Sequence, residues 1–235
     1  SVAENTRVKL EAYAQFLDKA GVNGNKPSYF SLLNEGANFG FWYPDTLKAQ
    51  GTGRNLGLEL TLERFLSKGL YYLATVSLYD SKYKGSDGKL RSTAFDGGYV
   101  VNALVGKEFE LWKSRADLRK SKNTLGFDIK YTRSGGQRYT PAIVVPDPAT
   151  DGQTYKLEYD FDKAYTLQYK DYQRFDLKIT WRRNGKRITQ EWAIDIQNLF
   201  DQKNIYSEKL NKKTGERSFT YQMGLLVIPQ YRIIF

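Results

Sequence analysis

The 235-residue sequence has no cysteine, no histidine and one methionine. Without thiols or imidazoles, Cys/His metal centres, thiol nucleophiles and Ser-His triads are excluded from it. A disulfide scaffold is excluded too. No apolar run approaches the roughly 18 residues of a membrane-crossing helix. That excludes helical membrane proteins only. A membrane strand needs about 9–11 residues, and only alternate ones must be apolar, so its hydropathy looks soluble. The mean hydropathy here is −0.60. No secretory leader is visible; the chain opens in a strand pattern at SVAENTRVKLEAYAQF. An exported protein needs a leader, so the expectation is a processed or shortened start. The formal net charge is +10. No zinc-finger or basic-region pattern accompanies it, so it reads as solvated Lys and Arg in loops, with no nucleic-acid partner.

What is abundant is aromatic: 15% of residues, 18 of them tyrosine. The dominant pattern is period-two alternation. Val8, Leu10, Ala12, Ala14 and Phe16 share one face, with Lys9, Glu11, Tyr13 and Gln15 on the other. Leu56, Leu58, Leu60 and Leu62 repeat it against Gly57, Glu59, Thr61 and Glu63. Further sets begin at Tyr72, Tyr99, Leu125, Phe175 and Trp192, and a last runs from Tyr221 to Phe235. Eight strands are expected, with nothing helical between them. Expected connections run long, short, long, medium, long, short, long: Asp18 to Gly53, Ser67 to Leu70, Tyr83 to Gly98, Glu110 to Asn123, Gly135 to Asp171, a hairpin at Asn184-Gly185-Lys186, and Asp201 to Ser218. Asn-Gly is a two-residue hairpin signature. Such length asymmetry marks membrane barrels, whose periplasmic turns are short and extracellular loops long.

Alternation alone does not say which face points outward. A soluble barrel has an apolar lumen; lipid inverts this. The polar faces carry mid-strand charges: Glu59, Glu63, Asp128, Lys130, Asp176, Lys178, Arg182 and Asp195. Aromatics gather near strand ends, at Tyr71, Tyr72, Phe109, Trp112, Tyr131, Phe175, Trp181, Tyr231 and Phe235. Interfacial girdles are built this way. The expectation is an all-β, antiparallel, up-and-down transmembrane β-barrel. Eight strands either close into a small barrel or form one arc of a larger one. A lone arc would leave two open edges in lipid.

Several strings carry a family resemblance: Gly51-Thr-Gly-Arg-Asn-Leu-Gly-Leu-Glu-Leu-Thr-Leu-Glu63, Ser134-Gly-Gly-Gln-Arg-Tyr-Thr-Pro141, Asp171-Tyr-Gln-Arg-Phe-Asp-Leu-Lys-Ile-Thr180, Asp195-Ile-Gln-Asn-Leu-Phe200 and the ending Gly224-Leu-Leu-Val-Ile-Pro-Gln-Tyr-Arg-Ile-Ile-Phe235. In order and spacing they resemble the C-terminal barrel region of TonB-dependent outer-membrane receptors, especially the type with an N-terminal carboxypeptidase-regulatory-like domain. The resemblance implies that residues 1–235 are the C-terminal segment of a barrel domain, about eight strands of a 22-stranded barrel, with the plug and N-terminal domains outside these residues. It implies a bacterial outer-membrane location and import of a nutrient such as a siderophore, oligosaccharide or peptide. It also implies partners: outer-membrane lipid and lipopolysaccharide, the TonB energy complex acting through the plug, and the barrel-assembly machinery reading Phe235. The alternatives are a self-contained eight-stranded outer-membrane barrel with a structural or adhesive role, and a soluble ligand-binding barrel.

No catalytic, cofactor or metal site is expected, and no enzymatic activity. Asp87 lacks the second, suitably spaced carboxylate a calcium loop needs. Ser86-Asp-Gly-Lys89 and Lys213-Thr-Gly-Glu216 read as turns, and Pro141, Pro146 and Pro148 mark a loop. The candidate ligand residues are loop aromatics, Tyr29, Phe39, Phe41, Trp42 and Tyr43, with Arg138 and Tyr139 where a strand meets the 135–171 loop. Aromatic faces stack on sugars or grip apolar ligands, and Arg138 suits an anionic group. The plainer alternative is that the aromatics pack against neighbouring loops and Arg138 forms a structural ion pair.

Overall fold

The computed structural model describes residues 5–36, 43–111, 122–185 and 187–235. Its strands are β1 (Thr6–Asn23), β2 (Leu47–Ser67), β3 (Leu70–Lys84), the short β4 (Leu90–Ser92), β5 (Tyr99–Leu111) and β6 (Lys122–Ser134). In one long connection lie β7 (Arg138–Tyr139), β8 (Ala142–Pro146), β9 (Tyr155–Tyr159) and β10 (Leu167–Gln168). Then come β11 (Tyr172–Asn184), β12 (Thr189–Gln197), β13 (Ile205–Leu210), β14 (Arg217–Tyr221) and β15 (Leu226–Ile234). Among the described residues there is no α-helix, only 3-10 turns.

One antiparallel sheet runs in the order β1-β2-β3-β5-β6-β11-β12-β15, with β4 extending it beside β3. Apart from the inserted short strands, each long strand pairs with the next in sequence, the up-and-down order that the alternation predicts. Three two-stranded sheets, β7 with β10, β8 with β9 and β13 with β14, fill the connections.

Register aligns the apolar rows. Leu10 faces Leu60, then Val76, then Val101. Farther along, Ile129 faces Leu177, Ile196 and Val227. One face of the whole sheet is therefore apolar, and it is exposed: Leu10 at 67%, Ile129 at 54%, Val227 at 52%. These rows do not meet in a dry centre. Of the six buried apolar side chains among the described residues, five (Val22, Phe30, Tyr83, Ala94 and Ala164) lie at the end carrying the long connections.

The opposite face is polar and internally paired. Asn55 donates to Gln15 (2.8 Å) and accepts from Ser81 (2.6 Å). Glu59 accepts from Ser77, Glu63 pairs with Arg7, and Arg182 bonds Glu191 through two nitrogens.

All long connections (24–46, 85–98, 135–171 and 198–225) leave the same end, and the short ones leave the other. The Ser67 to Leu70 turn is tight as expected: Lys68 (φ 52°) and Gly69 (φ 72°) both adopt the left-handed conformation of a two-residue hairpin.

Several expectations need correction. The first connection is shorter than Asp18 to Gly53, because β1 and β2 keep pairing, past a bulge, as far as Asn23 and Leu47. The Asn184-Gly185 signature does not make a two-residue turn. Asn184 pairs with Thr189, leaving four residues between them, and neither Asn184 nor Gly185 has a positive φ. The 135–171 loop is not featureless, since it holds two small sheets. Tyr221, Met223 and Leu225 lie outside the last strand, which starts at Leu226. Tyr71 is no girdle residue: it lies on the polar face, its ring over Gly106 and its hydroxyl bonded to Asp128. Trp112 and Lys186 fall outside the described residues. Four of the other aromatics lie in two clusters. Trp181, Trp192 and Tyr231 stack in a run near the short-turn end, and Tyr131, Phe175 and Phe200 pack together near the long-connection end.

Candidate functional site

The four long connections are knitted together at one end of the sheet, and local sequence explains how. Residues 135–141 begin with two glycines that permit close approach of other chain segments. A β-carbon on Gly135 would sit 1.8 Å from the Gly97 carbonyl oxygen, and one on Gly136 would sit 2.1 Å from that of Tyr169. The connection 85–98 and the far end of 135–171 thus both press against this backbone. Arg138 then reaches back: its Nε donates to the Asp96 carbonyl at 2.7 Å and lies 3.4 Å from the Asp96 carboxylate. Asp96 is buried and also takes Lys82 Nζ at 3.1 Å and the Ser81 amide at 3.2 Å.

A second tie sits beside it. Asp87 accepts two bonds from Arg91, at 2.9 and 2.6 Å, with Lys89 N–H at 3.1 Å closing a turn through Gly88. Arg91 donation is the main cause holding the Asp87 carboxyl below its ordinary range. Asp87 is therefore committed to an arginine. Among the described residues no acidic cluster of metal-binding form occurs.

Aromatic rings complete the knit. Tyr29 stacks on Phe161 at 4.3 Å, nearly parallel, and meets Tyr165 edge-on. Tyr165 in turn meets Tyr83. Tyr139 stacks on Tyr169 at 4.2 Å, and Tyr169 meets Phe219 from the last connection. Burial raises the Tyr29 phenol and pushes Tyr165 and Tyr169 up to about 12, so all stay neutral at physiological pH.

Between these rings lies a cleft of about 1020 Å³. Tyr79, Ser134 and Tyr172 line its floor. They belong to the polar face of β3, β6 and β11, so the cleft sits directly above that face. Tyr139, Tyr159, Phe161 and Tyr169 form one wall, and Ile205, Tyr206 and Glu208 from the last connection another. Tyr29, Phe161 and Tyr165 also line a neighbouring cleft of about 1200 Å³ beside Asn34 and Asp87.

Three candidate residues, Tyr29, Arg138 and Tyr139, therefore come together at one cleft. Tyr29 and Tyr139 are stacked there on Phe161 and Tyr169, and Arg138 is ion-paired to Asp96. Tyr43 is exposed and lines neither cleft. Phe39, Phe41 and Trp42 lie outside the described residues. Sequence reasoning missed Tyr159, Phe161, Tyr165 and Tyr169. Their signal was present, a ring roughly every four residues from Tyr155 to Tyr172 within a nominal loop. It also missed Asn198 in the Asp195–Phe200 string. Asn198 is buried, accepts the Gln202 amide and donates to the Gln202 and Met223 carbonyls, which fixes the start of the last connection. No family model, no curated protein and no solved structure matches the chain.

Proposed function

We propose that the chain is an arc of a bacterial outer-membrane β-barrel of the TonB-dependent receptor type, its long connections forming the extracellular ligand-selecting end. The observation that carries this is the exposed apolar face continuous across eight long strands, backed by a charged face. In water such a face is unstable as a monomer's surface. In lipid it is the required exterior.

The dimensions fit. On β2 the apolar row from Leu56 to Leu62 is bracketed on its own face by Arg54 and Arg64. Arg133 and Asn123 bracket the row on β6, and Gln173 and Arg183 that on β11. At about 3.3 Å per residue and a tilt near 40°, ten residues rise about 25 Å, the height of a barrel's apolar band. The pairing is also staggered. Glu59, midway along the β2 row, connects through Ser77 and Val100 to Ser134, at the upper end of β6. The middle of the β6 row is Asp128. Strands carrying one level band must therefore tilt, as barrel closure demands.

Among the described residues, β1 pairs only with β2, and β15 only with β12. Open edges are very costly in lipid. That favours further strands on both sides, up to the 22 of a plugged importer, over a self-contained eight-stranded barrel. In this reading the polar face lines the lumen, where the plug would sit, and ligand descends from the cleft toward it.

Membrane fractionation of the full-length protein tests the proposal. Recovery in the outer-membrane fraction, with heat-modifiable migration on gels, is expected. A monodisperse protein that stays soluble without detergent refutes it.

A further inference from the structure

We infer that residues 141–164 form a rigid lobe that turns on a fixed neck and works as a movable partition between the two clefts. The neck is the base of the 135–171 connection. There β7 and β10 pair through Tyr139–Leu167 and Arg138–Gln168, and the Tyr169 amide donates to the Gln137 carbonyl at 3.0 Å. The rings of Tyr139 and Tyr169 stack across it. Ion pairs fasten it to the end of the sheet: Arg138 to Asp96, and Asp171 to Arg133 at 2.8 Å. The lobe is a separate unit. Ala142–Pro146 and Tyr155–Tyr159 pair with each other along their whole length. The Asp147 amide donates to the Thr154 carbonyl at 2.7 Å, and the Asp160 amide returns to the Pro141 carbonyl at 2.8 Å. Among the described residues, one backbone hydrogen bond leaves the lobe for another connection, from the Tyr155 amide to the Lys212 carbonyl.

Neither ladder spans the junctions, Thr140–Pro141 on one side and Tyr165–Thr166 on the other. Tyr165 has φ 57°, a left-handed conformation that is an outlier for a bulky residue. Strain of this kind clusters at switch regions. What holds the lobe in place lies on its outside and is soft. On one side Phe161 stacks on Tyr29, and Asp162 pairs with Lys89 in an exposed salt bridge. On the other, Arg217 reaches the Ala142 carbonyl at 3.0 Å and Gly215 lies against the Tyr155 ring. Exposed ion pairs add little, and units with few such ties open at low free-energy cost. The place of the lobe gives its motion a consequence. Tyr159 and Phe161 of the lobe, and Tyr165 at its hinge, line both clefts, so the wall between them moves with the lobe. Turning it away joins the two clefts into one space, and turning it back divides them again.

The test is hydrogen exchange of the full-length protein in detergent, read at single amides by mass spectrometry. Tyr29→Ala removes the ring stack on one side of the lobe. In a rigid body that loss also frees the other side, where the Tyr155 amide is bonded. Exchange at Tyr155 should then rise about three- to tenfold, the loss of one aromatic contact. The β8–β9 ladder and the Tyr169 amide should keep their wild-type rates, which also shows that the variant is folded. An unchanged Tyr155 rate overturns the inference, because the two sides then move independently. A rise shared by the β8–β9 ladder overturns it too, because the lobe then unfolds rather than turns. A rise at Tyr169 does the same, because the neck is then not fixed. Fractionation does not enter this measurement, so its outcome is separate from that of the receptor reading.

Discussion

At the scale of single residues, the loop end is held by contacts that tolerate no substitution, beside others that should tolerate most. Gly135 is the sharpest case, because the obstacle is backbone: the Gly97 carbonyl cannot rotate away as a side chain would. Gly135→Ala should separate the 85–98 and 135–171 connections, costing about 1–3 kcal/mol. Faster protease nicking within 135–171 would show it. Gly126→Ala, whose nearest neighbours lie at 3.8 Å, should be nearly silent in the same assay. The Asp87–Arg91 tie carries a pH dependence whose sign is fixed. Arginine donation lowers the Asp87 pKa in the folded state, so the stabilisation is complete above the ordinary carboxylate range near 4 and fades as pH falls through the lower folded value. Nicking of the 85–98 connection should rise below about pH 4, and Asp87→Asn should make it fast and flat across that range. A wild-type profile as flat as the variant's would exclude the tie as a stabiliser.

At the scale of elements, the strands and the order of long and short connections were legible, and the structure inside the long connections was not. Strict alternation over many residues leaves one conformation that segregates Leu56, Leu58, Leu60 and Leu62 from Glu59, Thr61 and Glu63. Local sequence therefore suffices to predict β2. The ends of β1 and β2 were misjudged because pairing there survives on backbone bonds past a bulge, with no apolar row to announce it. The short hairpin expected at Asn184-Gly185-Lys186 does join β11 to β12, but it is wider than the Asn-Gly signature suggests, because register, set by the Trp181–Trp192 and Ile179–Ile194 pairs, outweighs a dipeptide's preference. Arg138 and Asp96 were illegible as partners, being 42 positions apart, and only the fold of the loops joins them. Within a strand the two faces should respond oppositely to the same change. Leu60→Lys places an ammonium in mid-band and should destabilise the lipid-held protein by about 2–4 kcal/mol. Thr61→Lys, one residue away on the polar face, should stay within about 0.5 kcal/mol of wild type. Urea unfolding in phospholipid vesicles measures both, and equal losses would remove the distinction between lipid and lumen faces.

At the scale of the whole molecule, the question is what lies beside β1 and β15. If the eight long strands closed on themselves, these two would be neighbours along their length. If they form an arc, they are separated by the strands completing the circle. Residues 1–235 hold no cysteine, so a disulfide formed between two of them must come from introduced residues. Directly opposed residues of antiparallel strands have Cα separations of about 4.5–5.5 Å, inside the window for a disulfide. Leu10→Cys with Leu60→Cys, opposed in the β1–β2 pair, should cross-link on mild oxidation and serves as the positive control. A cysteine at Ala12 on β1, combined in turn with one at Val227, Tyr231 or Ile233 on β15, samples the registers a closed eight-stranded barrel would use. No intramolecular cross-link is expected from any of these pairs in the full-length protein. Efficient cross-linking of even one β1–β15 pair within a single chain would close the ring at eight strands. Its lumen would then be filled by side chains rather than a plug, and the proposed import route through it would be lost.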